Sequence, residues 1–165
     1  MTDHSLRVPP EKYYASLNRK RMFSSVLFRD EHSRVLLLEP SYKPFLDLPG
    51  GVVEENESPW LAAVREVREE LGIDIALGRL LAVDYLHAYG EKTESVGFVF
   101  DGGILADDLL NRMDFVDGEV LSACFYAVQD VEGKVKTTLA CRLESALYAI
   151  THNVTVLCED GKLIT

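Results

Sequence analysis

The chain has 165 residues, of which 47% are hydrophobic, and its formal net charge at pH 7 is −10. This length and this hydrophobic content predict one globular domain with a substantial core. Because broad nucleic-acid binding depends on a basic surface, the acidic balance argues against a nucleic-acid partner.

Three cysteines, Cys124, Cys141 and Cys158, are widely spaced and form no CxxC pattern typical of zinc or redox sites. Their apolar neighbours predict free, buried thiols. An odd number of cysteines, with no apolar secretory segment at the N-terminus, favours a cytoplasmic protein. No run of residues approaches the ~20 apolar positions of a membrane span, so we expect no membrane association.

Residues 1–18 form a mixed N-terminal segment in which two adjacent prolines, which oppose a helix across them, precede two tyrosines and a leucine. We expect this segment either to dock on the body of the protein or to be an arm exchanged with a second copy. The second alternative implies a homodimer. The remaining residues, 19–165, are expected to form the main domain.

Two strands and a loop come next in the chain. Residues 22–29 and 35–38, joined by a turn at 30–33, predict a hairpin. The second of these strands is a continuous apolar run, which is typical of a strand buried on both faces. Residues 40–45 form a loop held by two prolines.

A helix is predicted at about Pro59–Leu71, and both of its ends are marked. Ser58 is a good N-cap, and Gly72 can end the helix in a left-handed conformation. One face is apolar and consists of Trp60, Ala63, Val64, Val67 and Leu71. A different face, about 100° wide, carries Glu66, Glu69 and Glu70. These three glutamates are either a solvated acidic face or a site for a hard divalent cation such as Mg²⁺, which prefers oxygen ligands.

The rest of the chain alternates strands and a further helix. Residues 79–87 and 95–101 predict an antiparallel pair that ends at Gly102 and Gly103. Residues 105–118 show no clear periodicity. The following elements are a strand at 119–128, a helix at 137–150 and a closing hairpin formed by 154–158 and 162–164. This pattern indicates a mixed α/β or α+β fold with helices on a mixed sheet.

The segment from Gly51 to Ile73 resembles the Nudix box of the Nudix hydrolases. Five residues separate its first glycine from a glutamate, and seven more residues precede the sequence REVREELGI. The matching positions are Gly51, Glu57, Arg65, Glu66, Val67, Glu69, Glu70, Gly72 and Ile73. The resemblance implies a Nudix-type α/β/α sandwich with a mixed β-sheet.

The resemblance also implies a reaction, the hydrolysis of a pyrophosphate bond in a nucleoside diphosphate linked to another group. Mg²⁺ or Mn²⁺ would neutralise the phosphates, orient them and acidify a bound water. Glu69 and Glu70 match the family's metal-binding glutamates. Glu66 matches a position that serves as metal ligand or general base, and Arg65 matches the arginine that orients a carboxylate.

Other positions of the motif are expected to be structural or to contribute backbone atoms. Glu57 should tie the loop to the start of the helix, through Arg65. The carbonyl of Gly50 matches a backbone metal ligand, a role that suits glycine because nothing blocks close approach of its backbone. Gly51 and Gly72 are expected to shape the turn and the end of the helix.

Some family members use a further carboxylate from outside the box. Glu119, at the start of a predicted strand, is the first candidate for such a metal ligand. Glu91 and Glu94 are the next candidates. Each of the three is otherwise an ordinary solvated glutamate.

Four residues outside the box are candidates for substrate contacts. Tyr42, Lys43 and Phe45 lie in the loop before the box, and they either contact a base or phosphate or simply pack the loop. Tyr89 lies 16 positions after Ile73, in a region where Nudix subfamilies differ. A tyrosine there favours stacking on a base, as in dinucleoside polyphosphate hydrolases, and the alternative is ordinary packing.

Two other functions remain open. A catalytically silent Nudix domain could bind a nucleotide as a sensor, although such domains usually lose box glutamates that this chain retains. An isopentenyl diphosphate isomerase would need an active-site cysteine beside the box, and the sequence has none there. The identity of the substrate is not predicted.

Overall fold

The computed structural model describes residues 9–110, 112–115 and 118–164. The helices are α1 (Pro10–Ser16), α2 (Pro59–Leu71), α3 (Asp107–Leu110) and α4 (Thr137–His152), and a 3₁₀ turn spans Val128–Asp130. The strands are β1 (Arg21–Arg29), β2 (Val35–Pro40), β3 (Gly50–Val52), β4 (Leu80–Leu86), β5 (Ser95–Ile104), β6 (Val120–Tyr126), β7 (Val156–Glu159) and β8 (Lys162–Leu163).

The strands of the described part form one mixed sheet in the order β6-β2-β1-β5-β4-β7-β8, with β3 paired to β1. The neighbours β1 and β5 are parallel, as are β4 and β7. The other pairs are antiparallel, including the predicted hairpins β1–β2 and β7–β8 and the predicted pair β4–β5. The mixed α/β class predicted from the sequence is therefore confirmed.

Hydrophobic clusters cover both faces of the sheet. On one face Leu27 and Leu37 pack with Leu143 and Ala146 of α4. On the other face the neighbouring strand residues pack with α2, in a cluster that includes Val26, Phe28, Leu36, Val67 and Leu71. Because alternate side chains of β1 and β2 enter different clusters, these strands are buried on both faces. This arrangement is the predicted α/β/α sandwich.

Strand β5 corrects one predicted boundary, because it continues through Gly102 and Gly103 to Ile104. The register between β1 and β5 shifts at this point, so that Gly102 is an extra residue in a bulge. A Cβ atom on Gly102 would overlap the ring of Phe28, and Gly103 has a φ of 78°. The glycines are therefore needed for a bulge within the strand rather than for its end. Strand β6 also ends earlier than predicted, at Tyr126.

The prediction of three buried thiols is wrong for two of them. Cys158 is buried, Cys141 is partly exposed and Cys124 is exposed. Cys124 lies on β6, which is at the edge of the sheet. An edge strand has a neighbour on one side only, so apolar flanking residues do not guarantee burial there.

The described part of the N-terminal segment forms a short helix whose residues are all exposed, and its docking on the body or on a second copy stays a prediction. Helix α1 begins at Pro10, a position that tolerates proline because its missing N–H would have no partner there. No residue of α1 is buried, and Tyr14 is 67% exposed. Residues 1–8 lie outside the described residues, so the exchanged arm stays a prediction. In the described part of the chain, no helix combines the length and the hydrophobicity that crossing a bilayer requires.

Candidate active site

Helix α2 has the predicted boundaries and the predicted caps. Ser58 Oγ accepts a hydrogen bond from the backbone N–H of Leu61 at 3.2 Å, and Gly72 ends the helix with a φ of 67°. The apolar face is buried at Ala62, Ala63, Val67 and Leu71. The structure corrects the placement of Trp60 on the buried apolar face. Its side chain is 44% exposed and packs edge-to-face on Phe100 with a centroid distance of 5.4 Å.

The glycine pair before α2 allows the backbone of β3 to touch the acidic face of the helix. Gly50 N donates a hydrogen bond of 2.7 Å to Glu70 Oε2. Gly50 has a φ of 140°, and a Cβ atom there would overlap the carbonyl of Ser24. A Cβ atom on Gly51 would overlap the carboxylate of Glu66. Gly50 therefore requires glycine, and a side chain at Gly51 would displace the carboxylate of Glu66.

Arg65 lies at the centre of the site. Its Nε and Nη2 donate to the two carboxylate oxygens of Glu57 at 2.9 and 3.0 Å. Its Nη1 donates to Glu66 Oε1 at 2.8 Å and to Glu69 Oε2 at 3.0 Å, and Nη2 also donates to the carbonyl of Val52 at 3.1 Å. The predicted contact between Glu57 and Arg65 is present. The hydrogen bonds from Arg65, followed by one from the backbone N–H of Glu54, lower the pKa of Glu57 to about 2. This carboxylate is therefore ionised at neutral pH.

Substituting Arg65 by lysine should reduce hydrolytic activity by about 10–100-fold, a range typical for residues that orient metal ligands. Lysine keeps the charge but cannot form the bidentate fork to Glu57 while also holding two further carboxylates. The measurement is kcat/KM on the preferred substrate of the protein. Arg68→Lys is the matched control, because Arg68 lies on the same helix with an exposed side chain. Equal activity of both variants would contradict a positioning role for Arg65.

The carboxylates of α2 differ in their electrostatic environment. Burial raises the pKa of Glu66 against the opposing effect of Arg65. Burial also raises the pKa of Glu70, to about 8, where the hydrogen bond from Gly50 opposes the shift and the charges of Glu66 and Asp47 add to it. The positive charge of Lys43 lowers the pKa of Glu70 without cancelling this rise, so a further cation beside the carboxylate is favoured. The oxygen-only donors are those that Mg²⁺ and Mn²⁺ prefer.

The described residues do not, however, bring three acidic or imidazole groups together as a ready metal site. The reason is visible in the hydrogen bonds: Glu66 and Glu69 turn toward Arg65, and Glu70 turns toward Gly50. The carboxylate oxygens are donors that suit a hard cation. The raised pKa of Glu70 shows that the positive charge already present beside it does not offset its burial. To contact one cation together, the side chains of Glu66, Glu69 and Glu70 would have to rotate. The three residues lie within a short stretch of one helix.

The pKa of Glu70 predicts that the metal-free protein loses stability as the pH rises from about 5 to 8. The folded-state pKa of about 8 lies above the ordinary value of 4.5. Between these values the folded protein keeps a proton that the unfolded chain has released, so the free energy of unfolding falls with rising pH. Below this window both states are protonated, and above it the loss is complete.

The melting temperature in EDTA, followed from about pH 5 to about pH 9, tests this effect of Glu70. Glu70→Gln should make the curve flatter across the same window, because glutamine cannot release a proton. The same dependence in both proteins would show that another group is responsible.

A cleft of about 330 Å³ adjoins the box at Gly50 and Gly51. Tyr42, Lys43 and Phe45, the predicted substrate residues of the preceding loop, all line it. The other lining residues are Arg21, Phe23, Ser25, Leu46, Asp47, Leu48, Val52, Leu86, Lys92, Ser95, Lys136, Thr138, Leu139 and Arg142. The fold thus joins the loop, the sheet and the start of α4 around one space.

Other candidates from the sequence lie elsewhere or are engaged. Tyr89 is 87% exposed in a turn closed by Lys92, and it is not among the described residues that line the cleft. Glu94 accepts a hydrogen bond of 2.5 Å from the hydroxyl of Tyr85 and pairs with Lys20. The carbonyl of Glu119 accepts from Ser41 N at 2.7 Å, just before the edge strand β6. The metal-binding role of Glu119 stays a prediction.

Sequence reasoning missed two features of the site. Asp47 holds the ammonium of Lys43 at 2.5 Å, and its charge raises the pKa of Glu70. Asp47 stands between two leucines close to the box. A charged residue in such an apolar stretch could have indicated a role in the site. The second feature is Arg142, which lines the cleft and whose Nε donates to Asp84 Oδ2 at 2.6 Å. An arginine next to Leu143 on the apolar face of a helix could have indicated this buried ion pair.

The chain is similar to several known proteins. The model of the NUDIX domain matches residues 19–144. An 8-oxo-dGTP diphosphatase of Proteus vulgaris is 39% identical over 56 residues, which are 32% of this chain and 50% of that protein. The human diphosphoinositol polyphosphate phosphohydrolase 3-alpha is 44% identical over 66 residues, which are 39% of this chain and 40% of that protein. These matches therefore span half or less of each curated relative.

The fold also has close counterparts among solved structures. The crystal structure of a MutT protein from Methanosarcina mazei Go1 superimposes with a TM-score of 0.63 at 24% sequence identity. The superposition covers 84% of this chain and 99% of that one. At this level of identity the likeness concerns the arrangement of the backbone.

Proposed function

Because the chain belongs to the NUDIX family, we propose that it hydrolyses the pyrophosphate bond of a nucleoside diphosphate linked to another group. The observation that carries the proposal is the cluster around Arg65. This arginine holds Glu66 and Glu69 at 2.8 and 3.0 Å, beside the glycine pair that borders the cleft. A substrate in the cleft would present its phosphates to the acidic face of α2.

The proposed cofactor is Mg²⁺ or Mn²⁺, which when bound would neutralise the phosphates and acidify a water molecule. Glu66, Glu69, Glu70 and the carbonyl of Gly50 are the proposed ligands, with Glu119 as a further candidate. The raised pKa of Glu70 supports this assignment, because a cation would replace the proton that burial favours.

The chain's own residues divide the remaining work. Arg65, which is tied to Glu57, holds Glu66 and Glu69 beside each other on the acidic face of α2, from which they would turn toward a bound cation. Glu66 is the proposed general base: its Oε1 is bound by Arg65, so Oε2 is the atom that would take a proton from water. Burial raises the pKa of Glu66, which makes its carboxylate a stronger base.

The cleft is the proposed binding site for the nucleotide. Tyr42 and Phe45 offer aromatic faces for a base, and Lys43 offers an ammonium for a phosphate. Lys43 stays charged because Asp47 raises its pKa against the effect of burial. Tyr89 would reach the substrate only if its turn moved toward the cleft.

A hydrolysis screen near pH 8, with Mg²⁺ and separately with Mn²⁺, tests the proposal. The panel contains 8-oxo-dGTP and canonical nucleoside triphosphates, ADP-ribose, NADH, diadenosine polyphosphates, nucleotide sugars and diphosphoinositol polyphosphates, and products are identified by mass. We expect one preferred substrate, and the masses will show which phosphate is attacked. Binding of nucleotides without turnover of any would overturn the proposal in favour of a nucleotide sensor.

We further propose that the protein is cytoplasmic and acts on a small molecule rather than on nucleic acid. Its three free cysteines fit a reducing compartment. A homodimer formed through the exposed helix α1 is also proposed. Light scattering of the full chain and of a variant without residues 1–18 would test this.

A further inference from the structure

The cleft carries a concentration of positive charge that the motif does not require. Apart from Arg142, which pairs with the buried Asp84, the cationic residues that line it are Arg21, Lys43, Lys92 and Lys136, although the whole chain has a net charge of −10. They come from four separate segments: β1, the loop before the box, the β4–β5 connection and the residue before α4. We call these four residues the cationic rim.

Two members of the cationic rim are held by partners within the protein. Lys43 pairs with Asp47 at 2.5 Å. Arg21 donates from Nε to Thr93 Oγ1 at 3.0 Å and from Nη2 to the carbonyl of Thr93 at 2.7 Å. The partners of Arg21 are uncharged, so its positive charge is oriented but not neutralised.

Lys92 and Lys136 both line the cleft, close enough for the charge of one to act on the other. The charge of Lys136 is the largest cause that lowers the pKa of Lys92, followed by burial, and Arg21 and Lys43 lower it further. Like charges at such short range destabilise the folded protein. An anion between them would convert this repulsion into attraction.

The scissile pyrophosphate does not account for these cations. It has to lie against the acidic face of α2, next to Gly50 and Gly51, where divalent cations would balance its charge. Arg21, Lys92 and Lys136 belong to other segments that line the cleft. Their charge is therefore available for a second anionic group on the same molecule.

We propose that Arg21, Lys92 and Lys136 bind a phosphate group of the substrate other than the pyrophosphate that is cleaved. The substrate is then a small molecule with at least one additional phosphate, rather than a nucleoside diphosphate linked to an uncharged group. Lysine and arginine donate several hydrogen bonds each, which suits the oxygens of a phosphate better than those of a single carboxylate. The cleft volume of about 330 Å³ suits a small molecule.

This inference rests on the proposed function, but its test does not depend on turnover. Isothermal titration in EDTA measures the binding of inorganic tripolyphosphate to the full chain. Without metal, the box carboxylates repel this probe, so attraction has to come from the cations. We expect Lys92→Gln/Lys136→Gln to weaken binding by about tenfold or more, since charge-assisted hydrogen bonds are lost. Raising the salt concentration should weaken wild-type binding as well.

Lys162→Gln is the matched control, because Lys162 is an exposed lysine on β8 that does not line the cleft. Lys92 and Lys136 are also exposed, so their substitution should leave the fold intact, and a thermal melt verifies this. Equal binding by the double variant, the control and the wild-type protein would overturn the inference.

A parallel hydrolysis assay with Mg²⁺ separates this inference from the proposed function. Weaker tripolyphosphate binding by the double variant, with no hydrolysis by the wild-type protein, would support the phosphate site and overturn the hydrolase. Hydrolysis by the wild-type protein, with unchanged tripolyphosphate binding in the double variant, would support the hydrolase and overturn the phosphate site. If the protein is a hydrolase and the phosphate site exists, the KM of the double variant for the preferred substrate should be about tenfold higher than that of the wild-type protein.

Discussion

Replacing Glu69 or Glu70 by glutamine should reduce turnover of the preferred substrate by about 10²–10³-fold or more. Glutamine has nearly the same shape as glutamate, but it carries no charge and is a poor ligand for a hard cation. Glu70 receives a hydrogen bond of 2.7 Å from Gly50 N, which a glutamine oxygen can still accept. The fold should therefore survive the substitution while the site loses negative charge.

The measurement is kcat and KM with Mg²⁺ and with Mn²⁺, together with the melting temperature with and without metal. In the wild-type protein, metal should raise the melting temperature through binding linkage. In the double variant Glu69→Gln/Glu70→Gln both the activity and this metal-dependent rise should disappear.

Glu144→Gln is the matched control for these variants, because it is the same chemical change at an exposed position of α4. We expect wild-type activity from it. Full activity of Glu69→Gln/Glu70→Gln would show that the acidic face of α2 does not hold a catalytic metal. A loss of activity in the control as well would point to general damage rather than to the site.

Breaking the buried ion pair between Asp84 and Arg142 should destabilise the fold by about 3–5 kcal/mol. The side chains are 0% and 7% exposed, and the Oδ2–Nε distance is 2.6 Å. Asp84 Oδ1 also accepts from Gly161 N at 2.9 Å, so one carboxylate links β4 to α4 and to the closing hairpin. Asp84→Asn would leave Arg142 charged and uncompensated in the wall of the cleft.

Denaturant unfolding of Asp84→Asn and Arg142→Met measures this cost, and a decrease of the melting temperature on the order of 10 °C is expected for a chain of this size. The double variant should lose less than the sum of the single variants, because it leaves no unpaired buried charge. Additive losses would show that the two side chains act independently.

Arg68→Met is the matched control for Arg142→Met. Arg68 pairs with Asp74 at 3.6 Å, with side chains that are 73% and 85% exposed. An exposed pair of this kind contributes about 0–1 kcal/mol. A similar loss of stability in both arginine variants would contradict the argument that burial makes the difference.

The parts of the site that lie within one helix could be predicted from the sequence. Ser58 and Gly72 mark the ends of α2 through hydrogen bonds and backbone conformations that span a few residues. The spacing of Glu66, Glu69 and Glu70 places them on one face by helix geometry alone. The contact between Glu57 and Arg65 was predictable from the motif. Signals of this range do not depend on the rest of the fold.

The exposure of individual side chains was less predictable. Trp60 belongs to the apolar arc of α2, yet it lies in the first turn and is 44% exposed. Cys124 has apolar neighbours, yet it lies on an edge strand and is exposed. Periodicity identifies the face of an element that turns inward, but the extent of burial depends on what covers that face.

By itself, the sequence determined the mixed fold class, the family motif and the acidic helix, because these depend on local spacing and on residue type. Only the tertiary structure decided how that helix is used. It placed Glu70 against Gly50, paired Asp84 with Arg142 across 58 positions and brought Lys92 and Lys136 together at one cleft. These contacts follow from the order of strands in the sheet, in which β5 separates β1 from β4. No local pattern in the chain encodes that order, so the charges that meet across it emerge only when the sheet has formed.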